Sequence, residues 1–188
     1  MVIQLKASDG YIKIVSEVKR VKAIVLCEGG SEVEILKALA KRIELYEKLG
    51  DVAVTDAEGF NTLRKHFLPS ILALIIGKVM KKTKTIAVIV DANEMSIEER
   101  VRSFKDSVES KGLKMIGQER LCDSVWKLKI LQNSDEIQLI VAVNGVFEDS
   151  FKNFKIHELE DHIAYLKLLE GLLAKDEIAK VERAEELV

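Results

Sequence analysis

The sequence predicts an α/β fold in which a mainly parallel sheet is flanked by helices, and three apolar segments lead to this prediction. They have the length of strands and lie at 23–27, 52–55 and 85–90. Their hydrophobicity is continuous rather than alternating, which indicates strands that are buried on both faces, as in parallel sheets. Segments with helical spacing follow each strand, and this alternation is typical of right-handed βαβ crossovers.

Capping residues locate the starts of two helices. Ser31 precedes Glu34 by three positions, and Ser96 precedes Glu99 by the same interval. This is the spacing of a capping box, in which each side chain bonds the backbone amide of the other residue. We therefore expect a helix to begin at each serine.

Glycine and proline mark the ends and breaks of the predicted helices. Gly50 and Gly112 follow helical segments and are expected to end them. A further helix is predicted over 61–80, and it contains Pro69. Because proline lacks a backbone N–H, this helix should be kinked or divided there.

The two ends of the chain predict different structures. Residues 2–5 and 11–15 alternate around the turn at 8–10, which favours an N-terminal hairpin. Residues 125–130 and 137–143 flank a polar turn and predict a late antiparallel strand pair. The chain after His157 is expected to be helical, and the tail after Lys175 solvated. The predicted buried stripe of that last helix is Leu159, Ile163, Leu166, Leu169 and Leu173.

One domain over 1–188 is the simplest partition, because no repeat, low-complexity tract or flexible linker interrupts the chain. It would comprise the hairpin at 1–20, a βαβαβα core at 23–112, and the later strands with the C-terminal helix at 113–188. The 48% of apolar residues excludes a disordered chain. Charged residues reach 32%, above an average of about 25%, which would suit a thermophilic source.

Composition also restricts the compartment and the partners. With 29 basic and 31 acidic residues, the net charge of −2 excludes a generally basic surface for nucleic acid, but not a local basic patch. The lone Cys27 and Cys122 suggest buried thiols in a reducing compartment. The apolar-dominated run at 67–76 is too short to span a bilayer, so we expect a cytoplasmic protein without a membrane partner. The face around 71–76 fits either the core or a homodimer contact.

Acidic residues follow each of the three predicted strands. Glu28, Asp56 and Asp91 stand where the strands end. In parallel α/β sheets, ligands bind outside the carboxyl ends of the strands. Carboxylates gathered there repel one another unless a cation lies between them, and Mg²⁺ binds one or two carboxylates together with waters and substrate phosphates. Further polar residues in the same loops are Glu58, Asn93 and Glu94.

The loop after the first strand has a second notable feature. Gly29 and Gly30 follow Glu28 and would permit a sharp turn or a close approach of the backbone to a ligand. The segment matches neither the dinucleotide fingerprint nor the Walker pattern. For Asp56, an ordinary role as a turn former is the favoured alternative.

Two of these segments resemble the motifs of the TOPRIM (topoisomerase–primase) domain. Residues 24–32, IVLCEGGSE, are similar to its first motif, and residues 86–94, IAVIVDANE, to its Asp-x-Asp motif. The sequence HELEDH at 157–162 is similar to a helix start of some relatives. The resemblance covers about residues 23–166 and is greatest to small stand-alone archaeal TOPRIM-like proteins and to nucleases of the overcoming-lysogenisation-defect type.

The resemblance implies a role for each matched residue. Glu28 would be the general acid/base or a metal ligand, and Glu32 and Asp91 would help to hold metal. Asn93 occupies the second aspartate position, so that an amide oxygen replaces a carboxylate there. Glu94 could supply the lost charge.

Additional acidic residues complete the expected site. Asp56, Glu160 and Asp161 would extend the acidic cluster. Acidic residues are also ordinary in the first turn of a helix, and this alternative applies equally to Glu160 and Asp161.

The resemblance implies metal-dependent phosphodiester chemistry on DNA or RNA, with Mg²⁺ or Mn²⁺ as cofactor. An alternative is a catalytically weakened module that binds nucleic acid or a protein. A third is a nucleotide-binding or receiver-like domain with Asp91 or Asp56 as acceptor. The lysine clusters at 19–22 and 78–84 precede strands, so they are solvated turns or phosphate sites on the edge opposite the acidic residues.

Overall fold

The structure is a computed structural model that describes residues 2–9, 11–19, 21–42, 51–132 and 135–188. The described residues form a seven-stranded sheet in the order β1-β3-β2-β4-β7-β6-β5. The strands are β1 (Val2–Lys6), β2 (Ala23–Cys27), β3 (Val52–Asp56), β4 (Thr85–Asp91), β5 (Lys114–Cys122), β6 (Val125–Gln132) and β7 (Asp135–Asn144). The helices are α1 (Tyr11–Val18), α2 (Gly30–Arg42), α3 (Leu68–Ile76), α4 (Ile97–Glu109), α5 (Glu160–Leu169) and α6 (Lys175–Ile178).

The three strands that the apolar segments predicted are present and parallel. β2 lies between β3 and β4 and pairs parallel with both. Every side chain of β3 is buried, and in β2 the side chains of Ile24, Leu26 and Cys27 are buried. The predicted α/β class, with a mainly parallel sheet flanked by helices, is confirmed.

The predicted N-terminal hairpin is wrong. The first half of the predicted hairpin is a strand, β1, which pairs parallel with β3. The second half, expected to be the partner strand, is instead the helix α1. Ile14 and Val18 are buried and four residues apart, which is the spacing of one helix face. The alternation at 11–15 was too short to distinguish this helical face from a strand.

The helix predicted around Pro69 is irregular rather than divided, because a π-helical segment interrupts it just before the proline. A helical turn at Phe60–Thr62 is followed by a π-helical segment, Leu63–Phe67, and then by α3. Pro69 has no N–H to donate to the carbonyl of Lys65 four residues earlier, and this accounts for the wider turn. In α3, Ile71 and Ile75 are buried within this chain, so that this face belongs to the core.

One of the two predicted capping boxes is confirmed. Ser96 and Glu99 bond each other's backbone amides, at 2.8 Å from the Ser96 N–H to Glu99 Oε2 and 3.2 Å from the Glu99 N–H to Ser96 Oγ. The helix they cap, α4, ends before Gly112, which has a φ of 76°.

The other predicted capping box is wrong. Helix α2 begins at Gly30, one residue before Ser31, and Glu34 pairs with Lys37. The carboxylate of Glu32 instead accepts the N–H of Gly29 at 3.1 Å. Gly50, which was expected to end this helix, lies outside the described residues.

The late antiparallel pair is confirmed as β6 and β7, and β5 extends it. β5 was not predicted, because most of its side chains are exposed and it has no clear apolar alternation. No helix in the described part of the chain is long and apolar enough to cross a membrane.

The described chain forms two compact units. The first comprises residues 1–89 and 101–142, and the second comprises residues 90–100 and 143–188. The second unit has its own core of Val146, Phe151, Phe154, Ala164, Ile178 and Ala184.

Two predictions for the C-terminal region are wrong. In α5 the side chains of Leu166 and Leu169 are 57% and 64% exposed, while Asp161 and Ala164 are buried. The helix therefore presents a different face to the core, because its buried side includes a polar residue that hydrophobic periodicity cannot reveal. The charged tail is also packed rather than solvated, since Ile178 and Ala184 belong to the core of this unit.

Candidate functional site

In the first unit, predicted site residues gather where β2 and β3 end. The register of these strands pairs Cys27 with Asp56. Beyond the sheet, the N–H of Ala57 bonds the carbonyl of Cys27 at 2.9 Å, and the N–H of Gly59 bonds that of Glu28 at 2.8 Å. The backbone thus holds the loop of Glu28 beside the loop of Asp56.

Two carboxylates flank the glycine pair. Glu32 and Asp56 are only 5% and 9% exposed. A Cβ atom built on Gly29 would lie 3.5 Å from Oε2 of Glu32, and one on Gly30 would lie 3.5 Å from Oδ2 of Asp56. These are ordinary contact distances, and neither glycine has a positive φ. The sharp turn considered from the sequence is therefore not what requires glycine here.

The pKa of the Cys27 thiol depends on the carboxylates of this loop. Burial raises its pKa to about 12, and the negative charges of Glu32 and Asp56 add to the shift. The thiol therefore stays protonated at neutral pH, which is unfavourable for a cysteine nucleophile.

Asp56 also has the local role that its sequence position suggested. Its Oδ1 accepts the N–H of Glu58 at 2.9 Å, and Glu58 has a φ of 55°. The side chain of Glu58 is exposed and accepts the Ser8 hydroxyl at 2.8 Å. Asp56 is thus a turn former, and its second oxygen faces Gly30.

In the second unit, the central predicted residue is Asp91 at the end of β4. Its Oδ1 accepts the Nδ2 of Asn144 at 3.1 Å. Burial raises the pKa of this carboxyl, and the charges of Glu160 and Glu158 raise it further, against the hydrogen bonds from Asn144 and the backbone of Leu159. The structure therefore brings Asp91 and Glu160 within electrostatic range of each other.

Asn93 is held by its backbone. Its N–H donates to the carbonyl of His157 at 2.7 Å, and the N–H of His157 donates back at 2.9 Å. Its φ is 53°, in the left-handed region that asparagine tolerates better than most residues. Glu94, the expected replacement for the missing charge, is exposed.

Asp161 is a fully buried hydrogen-bonding centre. Its Oδ2 accepts the N–H of Val146 at 3.0 Å and lies 2.8 Å from Nδ1 of His157. Its Oδ1 has no hydrogen-bond partner among the described residues. These contacts tie Val146, His157 and, through the backbone bridge, Asn93 into one framework.

Sequence reasoning missed several residues of this framework. No helical spacing signalled His157, because it lies before α5, which begins at Glu160, and its contact with Asp161 is not one between two residues of a helix. Asn144 gave no signal, since it lies 53 residues from its partner Asp91. Glu158 was also missed, although it bonds Nη2 of Arg183 at 2.6 Å.

The donors present are chemically suited to a hard divalent cation, since they are carboxylate and amide oxygens. Among the described residues, however, no group of three His, Cys, Asp or Glu side chains is arranged to hold a metal ion. Mg²⁺ does not need such a group, because one or two carboxylates with waters and substrate phosphates are sufficient. The described residues thus offer suitable oxygen donors but no closed set of three side-chain ligands.

Comparisons with known proteins leave the family undecided. No protein-family model, curated protein or solved structure gives a significant match to this chain. The TOPRIM resemblance therefore stays a prediction.

Proposed function

We propose that the protein carries out metal-dependent phosphodiester chemistry on DNA or RNA, as a nuclease or a related phosphoryl-transfer enzyme. The observation that carries this proposal is the accumulation of carboxylates where β2 and β3 end. Glu32 and Asp56 are almost completely buried there, and Glu28 follows β2 directly. Buried carboxylates that face one loop favour a cation, and an open site leaves room for phosphate oxygens.

The proposed reaction assigns a different role to each of several residues. Glu28 is half-buried and would transfer a proton to or from the attacking or leaving oxygen. In the second unit, Asp91 and Asn93 would offer oxygen ligands to a metal ion, with the backbone of Asn93 fixed by its bridge to His157. In the first unit, Glu32 and Asp56 would supply negative charge and oxygen ligands beside Glu28. In the second unit, Glu160 would add negative potential beside Asp91. A bound Mg²⁺ or Mn²⁺ would stabilise the charge that develops on the transferring phosphate.

The direct test is cleavage of labelled DNA and RNA in Mg²⁺ or Mn²⁺. We expect cleavage by the wild type and a loss of at least about 100-fold for Glu28→Gln, the usual contribution of a general acid or base. Glu109→Gln, a change of the same type at an exposed position of the first unit, should be as active as the wild type. No cleavage by the wild type, or equal cleavage by Glu28→Gln, would overturn the proposal.

A second candidate is a TOPRIM-like module that binds nucleic acid or a protein without turnover. Asn93 favours this candidate, because its amide brings no negative charge to a metal site. Its φ of 53° also explains the asparagine without a metal, since asparagine tolerates the left-handed backbone conformation. Calorimetry separates the two candidates. Binding of Mg²⁺ or Mn²⁺ at millimolar concentration supports the enzyme, whereas retained nucleic-acid binding without metal binding supports the module.

A further inference from the structure

A cavity in the first unit lies away from the acidic loops, before the start of β4. It has a volume of about 150 Å³, and three lysines line it: Lys78, Lys81 and Lys84. Among the described residues that line it, Asp135 is the one acidic residue. The floor is apolar and is formed by Ile75, Ile76, Met80 and Ile137.

The charges around this basic cavity do not cancel. Lys84 Nζ lies 2.8 Å from Asp135 Oδ1, which neutralises one lysine. Among the described residues, no ion pair engages Lys78 or Lys81. Lys84 and, to a smaller extent, Lys78 hold the pKa of Asp135 below its usual range, so the lysines act on the same space. A net positive charge therefore remains.

The floor strengthens the attraction for an anion. Met80 and Ile137 are each 1% exposed, and Ile75 is 7% exposed, so that the bottom of the cavity belongs to the core. Charges that act across such a low-dielectric wall are screened less than charges on an open surface. The attraction between the lysine ammonium groups and an anion in the cavity would therefore be stronger than the attraction between the same groups and an anion on an open, fully hydrated surface.

Lys78 stands where the backbone favours glycine. Its N–H donates to the carbonyl of Ile75 at 3.0 Å, and the next N–H, from Val79, donates to Leu74 at 3.0 Å. These two bonds form a Schellman motif, in which the residue at the position of Lys78 is left-handed and usually glycine. Its φ is 57°. Lysine thus occupies a locally unfavourable position at the rim of the cavity.

We infer that this basic cavity binds the phosphate group of a small phosphorylated molecule. The inference does not depend on the proposed function, since it uses none of the acidic residues. The cavity volume is below the roughly 300–1,000 Å³ of pockets that enclose a whole small-molecule ligand. The phosphate group would therefore enter the cavity, and the rest of the molecule would lie outside it. A nucleic-acid strand would need an extended basic groove with stacking aromatic side chains, and none of the described residues that line this cavity is aromatic.

The test is an NMR titration of the full chain at low salt with inorganic phosphate, adenosine 5′-monophosphate and adenosine. We expect saturable shifts of backbone amides at 75–84 and 135–137 with the first two probes and none with adenosine. Lys78→Gly and Lys81→Gln should each weaken binding by roughly tenfold. Lys78→Gly should also fold at least as well as the wild type, because glycine suits the left-handed position.

A matched control is Lys114→Gln, which removes an exposed lysine of β5 that does not line the cavity. It should bind phosphate as the wild type does. The inference is overturned if no saturation occurs up to about 10 mM phosphate, which would place any affinity beyond the weak millimolar range. It is also overturned if Lys114→Gln binds as weakly as Lys78→Gly, or if a single-stranded oligonucleotide saturates these amides and the small phosphates do not.

Discussion

Replacing Gly145 with alanine should damage the framework that holds Asn93. The φ of Gly145 is 131°, a backbone conformation that residues other than glycine rarely adopt. A Cβ atom built there would lie 2.8 Å from Cβ of His157 and 3.3 Å from Cε2 of Phe147. The first contact is with an atom next to the backbone, so that His157 cannot avoid it by changing its rotamer.

The magnitude has two parts. Holding alanine in this backbone conformation costs about 2 kcal/mol, within the range for strained residues. Displacing His157 and its neighbours costs about another 2 kcal/mol, as in overpacked cores. We therefore expect Gly145→Ala to lower the free energy of unfolding by about 4 kcal/mol.

Gly171 provides the matched control in the same unit. Its φ is 71°, and nothing lies within 4 Å of a Cβ atom built there. Gly171→Ala should cost only the left-handed backbone strain of about 1 kcal/mol. Urea denaturation followed by circular dichroism measures both variants. If the two variants differ by less than about 1 kcal/mol, the close contact of Gly145 with His157 is not real.

Three further predictions test other parts of the account. Asp161→Ala should lower the free energy of unfolding by about 3 kcal/mol in urea denaturation, because the buried N–H of Val146 and the partly buried Nδ1 of His157 lose their acceptor. An unchanged midpoint would contradict this. The pKa of Asp91, read by carboxyl NMR, should lie above the usual range of an aspartate and should fall in Glu160→Gln but not in the exposed-site control Glu170→Gln. Lys78→Gly should raise the free energy of unfolding by about 1 kcal/mol in urea, and a loss of stability would show that the left-handed lysine is not strained.

The raised pKa of Asp91 also determines the sign of a pH effect. The folded chain holds the Asp91 proton more tightly than the unfolded chain does. Between the unfolded pKa, near 3.9, and the higher folded pKa, the contribution of Asp91 to the free energy of unfolding therefore decreases as the pH rises. In Glu160→Gln the pH range between the unfolded and folded pKa of Asp91 should become narrower, because the charge that helps to raise the folded pKa is removed.

The parts that sequence reasoning predicted correctly are those with local signals. The strands at 23–27 and 85–90 have continuous apolar runs, and Ser96 with Glu99 encodes a cap within four residues. The errors occurred where local patterns were ambiguous. Residues 11–15 were read as a strand because five alternating residues do not separate the two periodicities.

The candidate site was predictable only in part, for a different reason. Glu28 and Asp91 end strands, and their positions follow from the topology of a parallel sheet. Asn144 reaches Asp91 from a different strand, and His157 reaches Asn93 through the backbone. Such contacts depend on the tertiary arrangement of residues far apart in the chain, and no local spacing encodes them.

The functional proposal depends on the carboxylates that gather in the first unit, where β2 and β3 end, binding a divalent cation. The most direct measurement is anomalous diffraction from a crystal soaked in Mn²⁺. We expect a peak within about 2.5 Å of a carboxylate oxygen of Glu28, Glu32 or Asp56, the range for oxygen ligands of such ions. Manganese that appears only at other carboxylates, or at none, would contradict the proposal.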